Sequence, residues 1–282
     1  MLKILIIIIT IFAVLLIMAT VWGSLECRAL KVREISITDS GLGDMRIALL
    51  SDYHNNHKIS DKLYNELSVL KPDIICVPGD MTVCRQRDCR DNLRSAELLV
   101  QLSDIAPVYY SMGNHELGMS NNKNNMLENW NEYTEIIDSC DNVFLLDNDS
   151  ILKNGIEIAG LSLDGSCYKR FSGKRLTEED IDSFIGKKSH ACILLAHTPE
   201  YYSQYCEWGA NLILSGHNHG GLVRLPWLGG VLSSRLHVFP RYDYGLYRNG
   251  KSYMFISNGL GSHKPKIRFN NKPELQILEL KS

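Results

Sequence analysis

Five short polar motifs, each standing at the end of an apolar strand-like run, constrain this chain more than any other feature. They read Asp52-Tyr53-His54, Gly79-Asp80, Gly113-Asn114-His115-Glu116, His197 and Gly216-His217-Asn218-His219. The runs before them are Ile47–Leu50, Ile74–Val77, Val108–Tyr110, Ile193–Leu195 and Leu212–Leu214. In open α/β sheets the loops at the carboxyl ends of the strands converge on one crevice, so the five motifs are expected to share a single site. That site offers only oxygen and imidazole ligands: two Asp, one Asn and up to five His. Such a set suits divalent transition metals such as Mn, Fe or Zn and is unlike a thiolate structural site. In Asp52-x-His54 the side chains stand at i and i+2, on one side of an extended backbone, and His217-x-His219 repeats the spacing. A carboxylate such as Asp80 has two oxygens and can bridge two cations roughly 3.5–4 Å apart.

The spacing of the apolar runs gives the fold class, α/β. A strand over Arg46–Leu50, a helix from Ser60 (read as its N-cap) to Leu70, a strand over Ile74–Val77, a helix over Asn92–Leu102 and a strand over Val108–Tyr110 make parallel βαβ units. Asn154-Gly155 and Asn249-Gly250 read as hairpin turns, so the second half is expected to be more antiparallel.

In order and content the five motifs resemble the calcineurin-like metallophosphoesterase superfamily, whose pattern is D-x-H, G-D, G-N-H-[DE], H and G-H-x-H. The resemblance runs from about Ile47 to the C-terminus and implies a sandwich of two mixed sheets flanked by helices, with two divalent metals at one edge. It places Asp52, His54 and His219 on the first metal, Asp80 between the two, and Asn114, His197 and His217 on the second. His115 is then off the metals and faces the leaving group, with Glu116 in reach to orient it and Asn114 also near substrate. The segments 216–226, Tyr244-Gly245-Leu246-Tyr247 and Ser257–Gly261 are similar to a bacterial membrane-associated branch, which includes transmembrane metallophosphoesterases and hydrolases of UDP-2,3-diacylglucosamine. Tyr53 and Leu222 depart from residues common in that branch; neither is a ligand, and both are expected to alter the pocket rim.

The expected chemistry follows from the metals: a bridging water becomes hydroxide near neutral pH and attacks phosphorus in line. The cations offset charge on the phosphoryl oxygens, and His115 serves the leaving group as acid or hydrogen-bond donor. The leading expectation is a membrane-anchored phosphoesterase acting on a phosphodiester or pyrophosphate, in a lipid or nucleotide-sugar lipid. The alternatives are a phosphomonoesterase or protein phosphatase, and a catalytically silent metal-binding module at the membrane.

Ile4 to Trp22 carries no charge. As a helix it spans roughly 28 Å, close to the hydrocarbon thickness of a bilayer. A signal peptide has a shorter apolar region and a small-residue cleavage site, which are not evident here. The expected organisation is therefore an anchor over residues 1–24 and a catalytic domain over 25–282, in a single-pass protein of a bacterial cell membrane. Lys3 on one flank and Arg28, Lys31 and Arg33 on the other leave the facing side open.

The remaining features bound partners. A net charge of −2 advertises no nucleic-acid face. The eight cysteines form no CxxC pairs; Cys76 and Cys192 fall in expected core strands, and Cys84 and Cys89 stand close enough in sequence to bridge. Of nine histidines, His57, His190, His237 and His263 lie outside the motifs and read as surface or rim residues. The run Leu222–Leu232 reads as hairpin core or as an apolar lip for an acyl chain, and Lys123, Arg170 and Lys174 are candidate phosphate contacts.

Overall fold

A computed structural model of the chain describes residues 2–168, 176–221, 223–225, 229–232, 240–262 and 268–282. Arg170, Lys174, Leu222, His237 and His263 lie outside these residues, as do the apolar side chains of the 222–232 segment. In chain order the elements begin with α1 (Leu2–Glu26), β1 (Lys31–Thr38), β2 (Met45–Leu49), α2 (Ser60–Leu70), β3 (Ile74–Val77), α3 (Cys89–Leu102) and β4 (Val108–Ser111). There follow α4 (Asn114–Ser120), α5 (Leu127–Asp138), β5 (Val143–Leu146), β6 (Asp149–Lys153), β7 (Ile156–Leu161), α6 (Glu178–Ile185) and β8 (Ala191–Ala196). The last are α7 (Tyr202–Trp208), β9 (Leu212–Ser215), β10 (Val223–Leu225), β11 (Gly229–Leu232), β12 (Gly245–Asn249), β13 (Ser252–Ile256) and β14 (Glu274–Lys281).

Two six-stranded mixed sheets result, ordered β1-β14-β2-β3-β4-β5 and β12-β13-β9-β8-β7-β6, with β10 and β11 a separate hairpin. The neighbours β2, β3, β4 and β5 are parallel, as are β7, β8 and β9, while β14 runs antiparallel to β2. The motif-bearing strands are apolar on both faces because both faces are covered. In β3, Ile74 and Cys76 join the layer between the sheets, whereas Ile75 and Val77 pack towards the helices of the first sheet. The inter-sheet layer also holds Ile47, Leu49 and Tyr109 from the first sheet against Ile193, Leu214 and Phe255 from the second. Outside the second sheet, Cys192, Leu194 and Ile213 meet Tyr205 and Trp208 of α7.

The turns follow local chemistry. Asn154 and Gly155 join β6 to β7 with φ of 52° and 79°, a two-residue turn whose twist matches a hairpin. β12 and β13 pair antiparallel around Gly250, φ 59°. Ser60 is the first residue inside α2, not its cap; its hydroxyl pairs with Tyr53 Oη at 2.7 Å. The Tyr53 ring is buried in the core, so Tyr53 does not shape a pocket rim as expected. His57 also turns inward, its Nδ1 lying 3.1 Å from the same phenol. α3 starts at Cys89, three residues before the sequence spacing suggested.

α1 stands apart from this packing. Within its span from Lys3 to Glu26 an 18-residue stretch has a mean hydropathy of 3.2, and that stretch is not buried against the rest of the chain. By length and composition this one helix could cross a membrane. It continues two residues past the expected boundary, and its last turn is tied to the domain. The Gly23 carbonyl accepts from Arg268 N–H at 3.3 Å, and Glu26 Oε2 accepts from Asn271 N–H at 3.3 Å.

Candidate active site

The five motifs converge, and unusual backbone brings their side chains inward. Asp52, His54, Asp80, His217 and His219 all have positive φ, of 51°, 45°, 56°, 70° and 52°. Left-handed backbone costs a side-chain-bearing residue roughly 1–2 kcal/mol, so five such residues at one place need strong support from their surroundings. Backbone bonds provide part of it: Asp52 N–H donates to the Gly79 carbonyl and His54 N–H to that of Asp80, both at 3.1 Å. Two close approaches demand glycine. A Cβ on Gly113 would overlap the Asp80 carboxylate, and one on Gly216 would overlap Ser51 and Asp52.

Asp52 and Asp80 are buried, and each keeps one oxygen turned to the cluster. Asp52 Oδ2 accepts from Ser51 Oγ at 2.7 Å, His217 N–H is shared by Oδ1 and Oδ2 at 3.0 Å, and Oδ1 also lies 3.4 Å from His219 Nε2 and 3.8 Å from His54 and His197 Nε2. Asp80 Oδ1 accepts from His115 N–H at 2.9 Å, and Oδ2 lies 3.2 Å from His197 Nε2 and 3.7 Å from His54 Nε2. The potential ligand atoms of Asp52, His54 and His219 lie within 4.8 Å of one another, as do those of Asp80, His197 and His217. Asn114 Oδ1 and His197 Nε2 are buried without a hydrogen-bond partner. A buried polar atom left so is costly, and both atoms belong to the Asp80–His197 half of the cluster, where a cation is the group that would satisfy both. The nitrogen and oxygen donor set therefore fits divalent metal ions.

The hydrogen bonds behind the rings decide which nitrogen faces the site. His54 Nδ1 is 3.2 Å from the Thr82 carbonyl and His197 Nδ1 is 2.9 Å from that of Pro78. A carbonyl only accepts, so each Nδ1 carries a proton and the neutral ring presents its lone pair at Nε2, the arrangement common behind metal-binding histidines. His115 is the reverse: Cys84 N–H donates to its Nδ1 at 2.9 Å, so the neutral ring carries its proton on Nε2. His54, Asp80 and His115 also lie within ligand distance of one another, but the lone pair of His115 Nδ1 is already engaged.

These observations match a known pattern of sequence as well as of space: residues 45–221 fit the calcineurin-like phosphoesterase family. The chain belongs to that family. It is accordingly a metal-dependent phosphoric ester hydrolase. This phosphoesterase is 27% identical to an uncharacterized metallophosphoesterase of Campylobacter jejuni, over 96% of its own length and 68% of that protein. It is 25% identical to the UDP-2,3-diacylglucosamine pyrophosphatase LpxG of Chlamydia trachomatis, over 84% of each chain. Among solved structures, TT1561 of Thermus thermophilus superposes with a TM-score of 0.51 at 12% identity, covering 77% of this chain and 90% of that one, which shows the shared fold.

Within the phosphoesterase site, Glu116 does work that the sequence assigned otherwise. The expectation has it orient His115, whose Nδ1 is instead met by Cys84. The fully buried Glu116 carboxylate accepts from Asp80 N–H at 2.9 Å, Gly113 N–H at 3.0 Å, Thr82 N–H at 3.0 Å and Thr82 Oγ1 at 2.9 Å. It fastens two motif turns to each other. Lys123 lies on the turn beside Cys84, exposed, with its carbonyl near Cys84 Sγ. Cys84 and Cys89 are free thiols with different partners.

Charge in the site is unevenly arranged. Burial alone would raise the Asp80 carboxyl, but the imidazoles of His197, His115 and His54 hold it well below the ordinary carboxylate range. Burial works against protonated His197, yet Asp80, Asp52 and Glu116 prevail and lift it from 6.5 to about 9. His219 is pushed below its ordinary value, by burial first and by Arg268, against the pull of Asp52.

Three residues that sequence reasoning passed over frame the cluster. Arg268, fully buried, reaches to 3.5 Å from His219 Nδ1 and donates to the Gly261 carbonyl. Asn271 Nδ2 donates to the His219 carbonyl at 2.6 Å and that of Gly221 at 2.7 Å. The Tyr168 ring lies 5.4 Å from that of His217. None of them sits in a motif, and only their long-range contacts disclose them.

Proposed function

We propose that this phosphoesterase holds two divalent ions, of Mn, Fe or Zn, and cleaves a phosphodiester or pyrophosphate in a lipid or nucleotide-sugar lipid while anchored in a membrane by α1. Asp52, His54 and His219 would hold one ion, Asn114, His197 and His217 the other, and Asp80 would touch both. Bound there, the ions supply positive charge to the phosphoryl oxygens and lower the pKa of an attacking water.

The observation that carries this reading is the opposite protonation of neighbouring rings. Once neutral, His54 and His197 offer lone pairs at Nε2, because backbone carbonyls hold the remaining proton on Nδ1. His115, 5.0 Å from His54 between ring centres, offers an Nε2–H. That proton would serve a leaving oxygen, a contribution typically worth about 10²–10⁴-fold in rate. The Cys84 amide fixes the ring, and Glu116 holds the turns on which Asp80 and Asn114 sit. Membrane anchoring is supported by the length and apolarity of α1. The lipid substrate class is supported by that helix together with the similarity to a pyrophosphatase of a diacylated nucleotide sugar.

The test uses the full-length chain in detergent micelles, stripped of metal and assayed with a chromogenic phosphodiester and the matching monoester, with and without Mn²⁺. Mn-dependent diester turnover is expected, and His115→Ala should keep the metal content while losing at least about tenfold in turnover. Preference for the monoester would make the chain a phosphomonoesterase. Full activity of His115→Ala would remove that ring from the reaction, and a folded protein that turns over neither ester would favour the silent binding module.

A further inference from the structure

A cavity of about 300 Å³ opens at the foot of α1, away from the proposed metal ligands. Its wall brings together Lys31, Arg33, Arg224 and Lys272 with only two carboxylates, Glu26 and Glu274. We propose that this cavity binds the phosphate of an anionic phospholipid headgroup. The proposal rests on the reading of α1 as a membrane anchor.

The charges in the wall are held together, not scattered. Arg33 and Arg224 place their guanidinium carbons 5.3 Å and 4.8 Å from the centre of the same ring, Tyr244. The acids are partly engaged already: Glu274 pairs with Lys31 at 3.3 Å and accepts from Tyr244 Oη, and Glu26 accepts from Asn271 N–H. Arg224 pairs with Asp243 at 3.0 Å. Among the described residues, neither Arg33 nor Lys272 has an ion-pair partner, and both are exposed. Two unmatched cations beside two fixed ones repel one another, and a phosphate relieves that repulsion while matching the fork of a guanidinium.

The position selects the source of the phosphate. The apolar run of α1 ends at Trp22, and Glu26, in the cavity wall, follows four residues later. That places the cavity roughly 6 Å beyond the hydrocarbon edge, at the depth of lipid headgroups. Basic groups at that level recognise anionic lipids. A lipid held there would lay its acyl chains along the exposed apolar surface of α1, where Met18 and Trp22 are each 63% exposed. The cavity also adjoins the frame of the catalytic centre, since Asn271 lines it and bonds the carbonyl of His219.

The full-length chain in detergent micelles is examined by native mass spectrometry with dioleoyl phosphatidylglycerol, with dioleoyl phosphatidylcholine, and with phosphatidylglycerol competed by inorganic phosphate. One phosphatidylglycerol should be retained at least about tenfold more strongly than phosphatidylcholine, a ratio readily produced by charge-assisted pairing. The double variant Arg33→Gln, Lys272→Gln should lose the preference, whereas Arg33→Lys, Lys272→Arg should keep it, and Mn-dependent diester turnover should stay within about twofold in both. Equal retention of the two lipids, or a preference that survives the double Gln variant, overturns the proposal. Displacement of the lipid by inorganic phosphate at sub-millimolar concentration overturns the headgroup in favour of free phosphate. Carbonate extraction of membranes tests the anchor separately. A chain that washes off yet keeps its lipid preference breaks the anchor reading alone, and one that stays embedded without preference breaks the cavity alone.

Discussion

The two halves of the candidate metal-binding cluster are built differently. The half made by Asp52, His54 and His219 is backed by the C-terminal segment and by the turn that follows α1. Asn271 bonds the carbonyls of His219 and Gly221, Arg268 reaches His219, and Asn56 Nδ2 donates to the carbonyls of Cys27 and Leu260. The half made by Asp80, Asn114, His197 and His217 is held locally, by the Glu116 carboxylate and the Pro78 carbonyl. One half depends on residues outside the motifs, Asn56, Arg268 and Asn271, the other on the motif turns themselves. The proposed ions should therefore respond to different mutations, and Asp80, which faces both halves, should be the exception.

Asp80→Ala gives the largest effect. It removes the oxygen that lies 3.2 Å from His197 Nε2 and 3.7 Å from His54 Nε2. Metal occupancy should fall in both halves and turnover by about 10³-fold or more, since charge stabilisation by the ions is worth several kcal/mol. Metal per chain, measured by elemental analysis after dialysis, checks this; a variant that retains one tightly held ion would show that Asp80 serves only one half.

Glu116→Ala breaks the local half without touching a ligand. It strands four donors on Asp80, Thr82 and Gly113. Buried donors without partners cost about 1–3 kcal/mol each, partly recovered by relaxation, so a loss of about 3–5 kcal/mol in urea unfolding is expected. In the surviving folded protein, metal loss should begin in the Asp80–His197 half. Asn271→Ala is the matching break on the other side. Its two side-chain bonds at 2.6 and 2.7 Å support the His219 loop, and their loss should cost about 1–3 kcal/mol. One ion should weaken about tenfold while the other holds; equal weakening of both in either variant would erase the distinction between the halves.

This distinction was only partly legible in the sequence. The ligand-bearing motifs and the strands that carry them are local, and a strand buried on both faces announces itself as an apolar run, as Ile74–Val77 does. The left-handed backbone at Asp52 and His54 is not announced, because an Asp-x-His spacing reads as extended until tertiary bonds override it. Glu116 adjoins His115 in sequence, which suggested contact between them; its four bonds go to other turns, and only the packed fold could decide that. Arg268 and Asn271 belong to an ordinary polar stretch whose purpose depends on the return of β14 beside β2. Chain segments that meet through sheet order leave no local signature.

The smallest effect is one of pH, and it follows from the same asymmetry. In the metal-free protein His197 is raised from 6.5 to about 9 by Asp80 and its neighbours, against the cost of burial. A group raised on folding contributes stability that is whole below its unfolded value and is lost as pH rises through its folded value. The metal-free protein should therefore lose stability between about pH 6.5 and pH 9. Metal binding has to displace that proton, so the affinity of the Asp80–His197 half should climb over the same window, by at most about tenfold per pH unit for one proton. His219 is pushed the other way, by burial and Arg268 against the pull of Asp52, so it holds a proton less readily than His197. The affinity of its half should rise less over the same window. Mn²⁺ titrations followed by electron paramagnetic resonance at pH 6.5 and pH 9 measure both. One ion that tightens more than the other on going to pH 9 would sharpen the comparison, and two that tighten equally would break it.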